Sequence, residues 1–209
     1  MVRLARISIV GGLLAFISVA LAQERLPRGL QPGDNYYLIF VTDTERDATS
    51  MNIADYNTFV SNEAARAPAL AGITWRAIVS TAQTSAATNL GMLRVAPVYL
   101  LDGQTEVLAQ ARTIFSGRGL EAAISVNQFG RAVANLSGAT AWTGTLPDGT
   151  GDDDNVLGKE LVSYGRVAAS DNPDWIQTSS VARNNARLHI YAISNMLTYP
   201  VRTGPPPKR

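Results

Sequence analysis

The 209-residue chain contains no cysteine. That excludes disulfides, thiolate metal sites, a thiol nucleophile and a lipid-modified N-terminal cysteine. Histidine is almost as scarce, with His189 the only one. A Ser-His-Asp triad would have to be built around that ring. Lysine occurs only as Lys159 and Lys208, and arginine supplies the remaining positive charge. Neither sign dominates: 18 basic residues stand against 17 acidic ones, for a net charge of +1. Such a balance gives no field that calls for nucleic acid or an anionic membrane. No phosphate-binding glycine loop is visible. Beyond the first two dozen residues, no apolar run reaches the ~20 residues that a spanning helix needs.

The one long apolar run is N-terminal. Arg3 and Arg6 precede the stretch from Ile7 to Val19, and Ala20-Leu21-Ala22 follows. A basic start, a short apolar centre and an A-x-A site predict a secretory signal peptide over 1–22, cleaved before Gln23. The product is expected to be secreted, extracellular or periplasmic, with no membrane span left after cleavage. The 18 basic residues less Arg3 and Arg6 leave 16 against 17 acidic, a net charge of −1. The remaining length, about 187 residues, suits one domain that can bury a core without staples.

Periodicity then organises the chain. Residues 23–35 hold prolines and glycines and read as a lead-in segment. "YYLIFVT", 36–42, is aromatic and β-branched, which predicts a buried strand. Ile53, Tyr56, Phe59, Val60 and Ala64 share one face of a helix over 52–66. Asn52 or Ser50 would cap that helix, and Pro68 lies beyond its end. Further strands are expected at "TWRAIVS" (74–80), "APVYLLDGQ" (96–104, closed by an Asp102-Gly103 turn), "AWTGT", "LVSYGRV" and "ARLHIYAIS". In the last of these, Leu188, Ile190 and Ala192 alternate with His189, Tyr191 and Ile193. Residues 105–121 are ambiguous, and "EVLAQARTIFSG" could form a short helix ending at Gly117. The tail, 201–209, reads as disordered. One early helix among short strands and long loops predicts an α+β fold. The single domain should run from 36 to 200.

Five segments in order carry a resemblance: "WRAIVST" (75–81), "APVYLLDG" (96–103), "IFSG" (114–117), "AWTGTLPDG" (141–149) and "HIYAIS" (189–194). Their order and gaps resemble the endostatin-like branch of the C-type-lectin-like fold, over roughly residues 36–200. The chain is also similar to secreted bacterial proteins with "YLIFVT" near the start and "W.GT..DG" later. The resemblance implies an early helix packed on a twisted, mostly antiparallel sheet with long loops. It implies that "AWTGT" buries Trp142, that Gly144 lets another backbone approach, and that Pro147-Asp148-Gly149 turns the chain. The family's disulfides, its calcium-chelating sugar tripeptides and its zinc histidines have no counterparts here.

Candidate sites fall on loops. "DGTGDDDN", 148–155, is the densest carboxylate cluster. Asp148, Asp152 and Asp154 could form a weak calcium site, or the segment could be a solvated acidic turn. A second rim, Asp171, Asn172, Asp174 and Trp175, offers polar groups and an aromatic ring to a ligand. His189 could be a structural histidine or, at a cleft, a general base. No pair of carboxylates has a spacing that singles it out for glycoside hydrolysis. The expected function is a non-enzymatic binding or adhesion module for a glycan, matrix polymer or extracellular protein. The alternatives are a structural component of the cell surface or matrix, and a carboxylate-dependent glycoside hydrolase.

Overall fold

The computed structural model describes residues 26–200. The expected signal peptide and tail lie outside the described residues. The architecture is α+β, with one main helix and one large mixed sheet.

Strand β1, Asn35–Val41, is buried at six of its seven positions. It lies inside the sheet, between β3 (Val98–Leu100) and β8 (His189–Ser194). A strand covered on both faces needs an unbroken apolar run rather than alternation, and "YYLIFV" supplies one. β8 continues the sheet to β5 (Thr140–Trp142), β6 (Leu161–Arg166) and β7 (Val181–Arg183). On the other side β3 pairs with β4, Glu106–Leu108. Two short strands sit off this path: β2 (Trp75–Ala77) on β8, and β9 (Leu197–Thr198) on β1. The β1–β3 and β5–β8 pairs are parallel, and the other pairs of named strands are antiparallel.

Helix α1 spans Ile53–Ala65. Asn52 caps it, its side-chain oxygen accepting from the Ala54 N–H at 3.1 Å. Tyr56, Val60 and Ala64 are buried on its inner face, and its main partner is β2. Pro68 opens a short 3-10 turn, Pro68–Leu70, just past the helix end. A one-turn helix, α2 (Ala86–Leu90), was not signalled by any apolar period.

Trp142 is fully buried in β5, and its indole Nε1 donates to the Arg46 carbonyl at 2.9 Å. Gly144 has φ +54, and a Cβ there would sit 2.9 Å from both the Leu157 nitrogen and the Ser80 carbonyl oxygen. Those two atoms are hydrogen-bonded to each other at 3.0 Å. The glycine therefore admits a crossing of two other chain segments. Gly149, φ +84, closes the Pro147-Asp148-Gly149 turn by donating to the Leu146 carbonyl.

β8 is buried at all six positions, and Trp175 packs against its Tyr191. Two expectations are corrected. The ambiguous stretch from Glu106 is strand β4 followed by a 3-10 turn at Ala111–Thr113, not a helix to Gly117. The strand expected over 74–80 keeps regular pairing only at Trp75–Ala77. Beyond it, Ile78 to Thr81 stay buried, and the Ser80 N–H bonds the Thr143 carbonyl.

Candidate functional site

The rim expected at Asp171, Asn172, Asp174 and Trp175 does not hold together as a ligand surface. Asp171 and Asn172 are exposed, but Asn172 is occupied as a cap, its Oδ1 accepting from the Asp174 N–H at 2.9 Å. Asp174 faces Arg166 at 3.6 Å. Trp175 is only 1% exposed and packs against Tyr191, with ring centroids 5.9 Å apart. Gly165 explains the inward turn: a Cβ there would fall 1.8 Å from the Trp175 carbonyl oxygen. With no side chain in the way, the 173–175 turn lies directly on β6, and the indole goes into the core.

The acidic loop also resolves into local contacts. Asp148 Oδ1 accepts from the Thr150 hydroxyl at 2.6 Å and the Thr150 N–H at 2.9 Å. The Thr150 hydroxyl first, and then its N–H, hold the Asp148 carboxyl below its ordinary value. Asp152 turns the other way. Its carboxylate accepts from the Ser163 hydroxyl, from Gln177 Nε2 at 3.1 Å and from Asn155 Nδ2 at 3.4 Å. It thereby ties the loop to β6. Asp154 is exposed. Among the described residues, no group of three or more His, Asp or Glu is placed to hold a metal ion. The three carboxylates expected to form a calcium site are therefore not brought together.

Two other concavities are formed instead. The first is an apolar groove of about 450 Å³. Its floor uses Tyr36 and Leu38 of β1, Leu70 from the turn after α1, and Leu101 after β3, all buried. Leu197 of β9 and Phe129 close its sides. Arg131 stands on its rim, exposed, with no carboxylate or hydrogen-bond partner for its guanidinium among the described residues. The second concavity, about 660 Å³, is polar. Asp43, Glu45, Asn135, Ser137 and His189 line it.

A hydrogen-bonded network separates the two. Glu63 on α1 is only 6% exposed, yet its charge is well met. It accepts from Arg66 Nη1 at 2.9 Å, Gln128 Nε2 at 2.9 Å and the Thr44 N–H at 3.1 Å. A buried carboxylate is tolerated when its lone pairs are filled in this way. Gln128 Oε1 in turn accepts from the Asp43 N–H at 2.9 Å. Asp43 Oδ1 accepts from Asn127 Nδ2 at 2.8 Å. The network fixes the 127–131 turn, and with it Phe129 and Arg131 at the groove.

None of the groove residues was singled out from the sequence. "NQFGR", 127–131, carries no period, and its only signal is a polar, glycine-containing turn between apolar segments. His189 was singled out, with a structural and a chemical reading. Its Nδ1 lies 2.7 Å from the Thr42 carbonyl oxygen, and its Nε2 lies 3.6 Å from Glu45 Oε1 at the polar cleft. No protein-family model matches the chain, and no curated protein matches it.

Proposed function

We propose that the chain is an exported, non-enzymatic binding module on a C-type-lectin-like scaffold, and that its ligand site is the apolar groove beside Arg131. The ligand class is a small amphipathic anion: an apolar body with one acidic head group. The observation that carries this reading is the groove itself. Apolar side chains from five separate chain segments wall a space of about 450 Å³, within the range that takes small ligands. Among the described residues, the Arg131 guanidinium at its edge is unpaired, which suits a carboxylate or similar anion. The scaffold assignment rests on the five landmark segments. They fall in order on β2, on β3, after the 111–113 turn, on β5 and on β8. Export rests on the N-terminal pattern alone.

A series of straight-chain carboxylates tests the ligand class by calorimetry. Each added CH₂ buries about 0.8 kcal/mol of apolar transfer energy. Affinity should therefore rise up to about fourfold per carbon until the groove is full. Arg131→Gln should weaken dodecanoate about tenfold and leave dodecanol unchanged. Affinity that is flat with chain length, or equal losses for acid and alcohol, would overturn the reading. Leu26 and Pro200, the ends of the described segment, also line the groove. A chain ending at Pro200 should bind as the full chain does. A gain above tenfold would mean that residues 201–209 are the groove's own occupant.

A further inference from the structure

We infer that the polar cleft around His189 is a second binding site, one that takes a primary ammonium group held between His189 Nε2 and the Glu45 carboxylate. The argument starts from which ring nitrogen carries the proton. His189 Nδ1 lies 2.7 Å from the Thr42 carbonyl oxygen. A carbonyl can only accept, so Nδ1 must be the donor. In the neutral ring Nε2 then carries a bare lone pair. His189 is only 8% exposed, yet it lines the cleft, and its Nε2 makes no hydrogen bond among the described residues. It faces Glu45 Oε1 at 3.6 Å, which is another acceptor and too far for a hydrogen bond.

Among the described residues, two bare acceptors therefore lie side by side at the wall of the cleft. A positively charged N–H donor placed ~2.9 Å from each would satisfy both. The surroundings favour the same sign of ligand. Asp43 adds a second carboxylate to the wall. The facing loop, 133–139, contributes no titratable side chain. Two cations approach from outside: Arg66, whose Nη2 sits 3.4 Å from Asp43 Oδ2, and Arg187, which donates to the Glu45 carbonyl. Neither occupies the space between Nε2 and Oε1. β5, which pairs alongside at Ala141, brings no charge. This site is independent of the groove, and neither proposal depends on the other.

His189 is the only histidine, so an untagged protein gives a single imidazole Cε1–H resonance, an unambiguous reporter. Butylammonium should shift that resonance along a saturable curve. Glu45→Gln should weaken the response at least tenfold. Glu45 is half-exposed, so this variant keeps the fold, and circular dichroism checks that it does. A lysine amide should bind as butylammonium does if the group alone is read. A tenfold preference for it would mean that a peptide-borne lysine is the better source. Tetramethylammonium has the charge without N–H donors and should not bind. An unsaturable shift, an equal response to tetramethylammonium or an undiminished response in Glu45→Gln would overturn the site. So would zinc shifting the resonance at a lower concentration than the amine, since the cleft would then be a metal site.

Discussion

Gly144→Ala isolates the chain crossing behind Trp142. The native φ of +54 lies in the left-handed region, where a Cβ costs about 1–2 kcal/mol by itself. The new methyl would also stand 2.7 Å from Leu157 Cδ1 and 2.9 Å from both the Leu157 nitrogen and the Ser80 oxygen. The leucine methyl can swing aside. The two backbone atoms cannot, because they are the donor and acceptor of one 3.0 Å hydrogen bond. Overpacking of this kind costs about 1–3 kcal/mol. Together the substitution should destabilise by about 2–5 kcal/mol, a large share of a domain's usual margin. Gly117→Ala is the control. Gly117 has φ +72 but nothing within 4 Å of a built Cβ, so it should show the conformational cost alone. Urea unfolding of both variants gives the comparison, with the slope checked for constancy. Gly144→Ala should lose at least about 1 kcal/mol more than Gly117→Ala. Equal losses would refute the close approach and with it the packing described around β5.

Other expectations follow from single contacts. Trp142→Phe removes the bond to the Arg46 carbonyl and leaves a small void, and should cost about 1–3 kcal/mol by urea unfolding; a change below about 0.5 kcal/mol would place the indole elsewhere. Tyr191→Phe should be neutral or stabilising, because the buried Tyr191 hydroxyl has no hydrogen-bond partner among the described residues; a clear loss of stability would reveal a partner, such as a bound water. Millimolar calcium against chelator should leave the melting temperature unchanged. A shift abolished by Asp152→Asn would restore the calcium reading of the 148–155 loop. The Thr150 hydroxyl and N–H hold the folded Asp148 carboxyl below its ordinary value. Its contact with Thr150 therefore adds stability above that value and loses it as pH falls through the lower, folded one. Carbon-detected titration of Asp148 in wild type should show the depressed value, and Thr150→Val should move it back up.

The sequence resolved elements whose burial is uniform. An unbroken apolar run such as β1, or a clear 3.6-residue face with a cap such as α1, depends on local pattern and needs no partner to be read. β8 was placed correctly, but its alternation said little about what covers each face, and all six of its positions are buried. Trp175 shows the same limit more sharply. It follows the turn Asp171-Asn172-Pro173-Asp174, and only Gly165, ten positions earlier in the chain, admits the turn that buries it. The acidic loop failed as a site because Ser163, Gln177 and Thr150 claim its carboxylates. Two of those three partners lie on other elements. The groove was invisible for a related reason. Its walls come from segments around positions 36, 70, 101, 129 and 197, and no local spacing joins them. His189 alone drew attention by scarcity, though its ring tautomer is set by Thr42, 147 positions away.

The most direct test of the binding reading is a map of backbone amide shifts during titration with dodecanoate. Saturable shifts are expected only at Leu70, Ala71, Gly130, Arg131, Leu197 and Thr198, with the His189 region unmoved. Shifts centred on 171–175, or none that saturate, would contradict that reading.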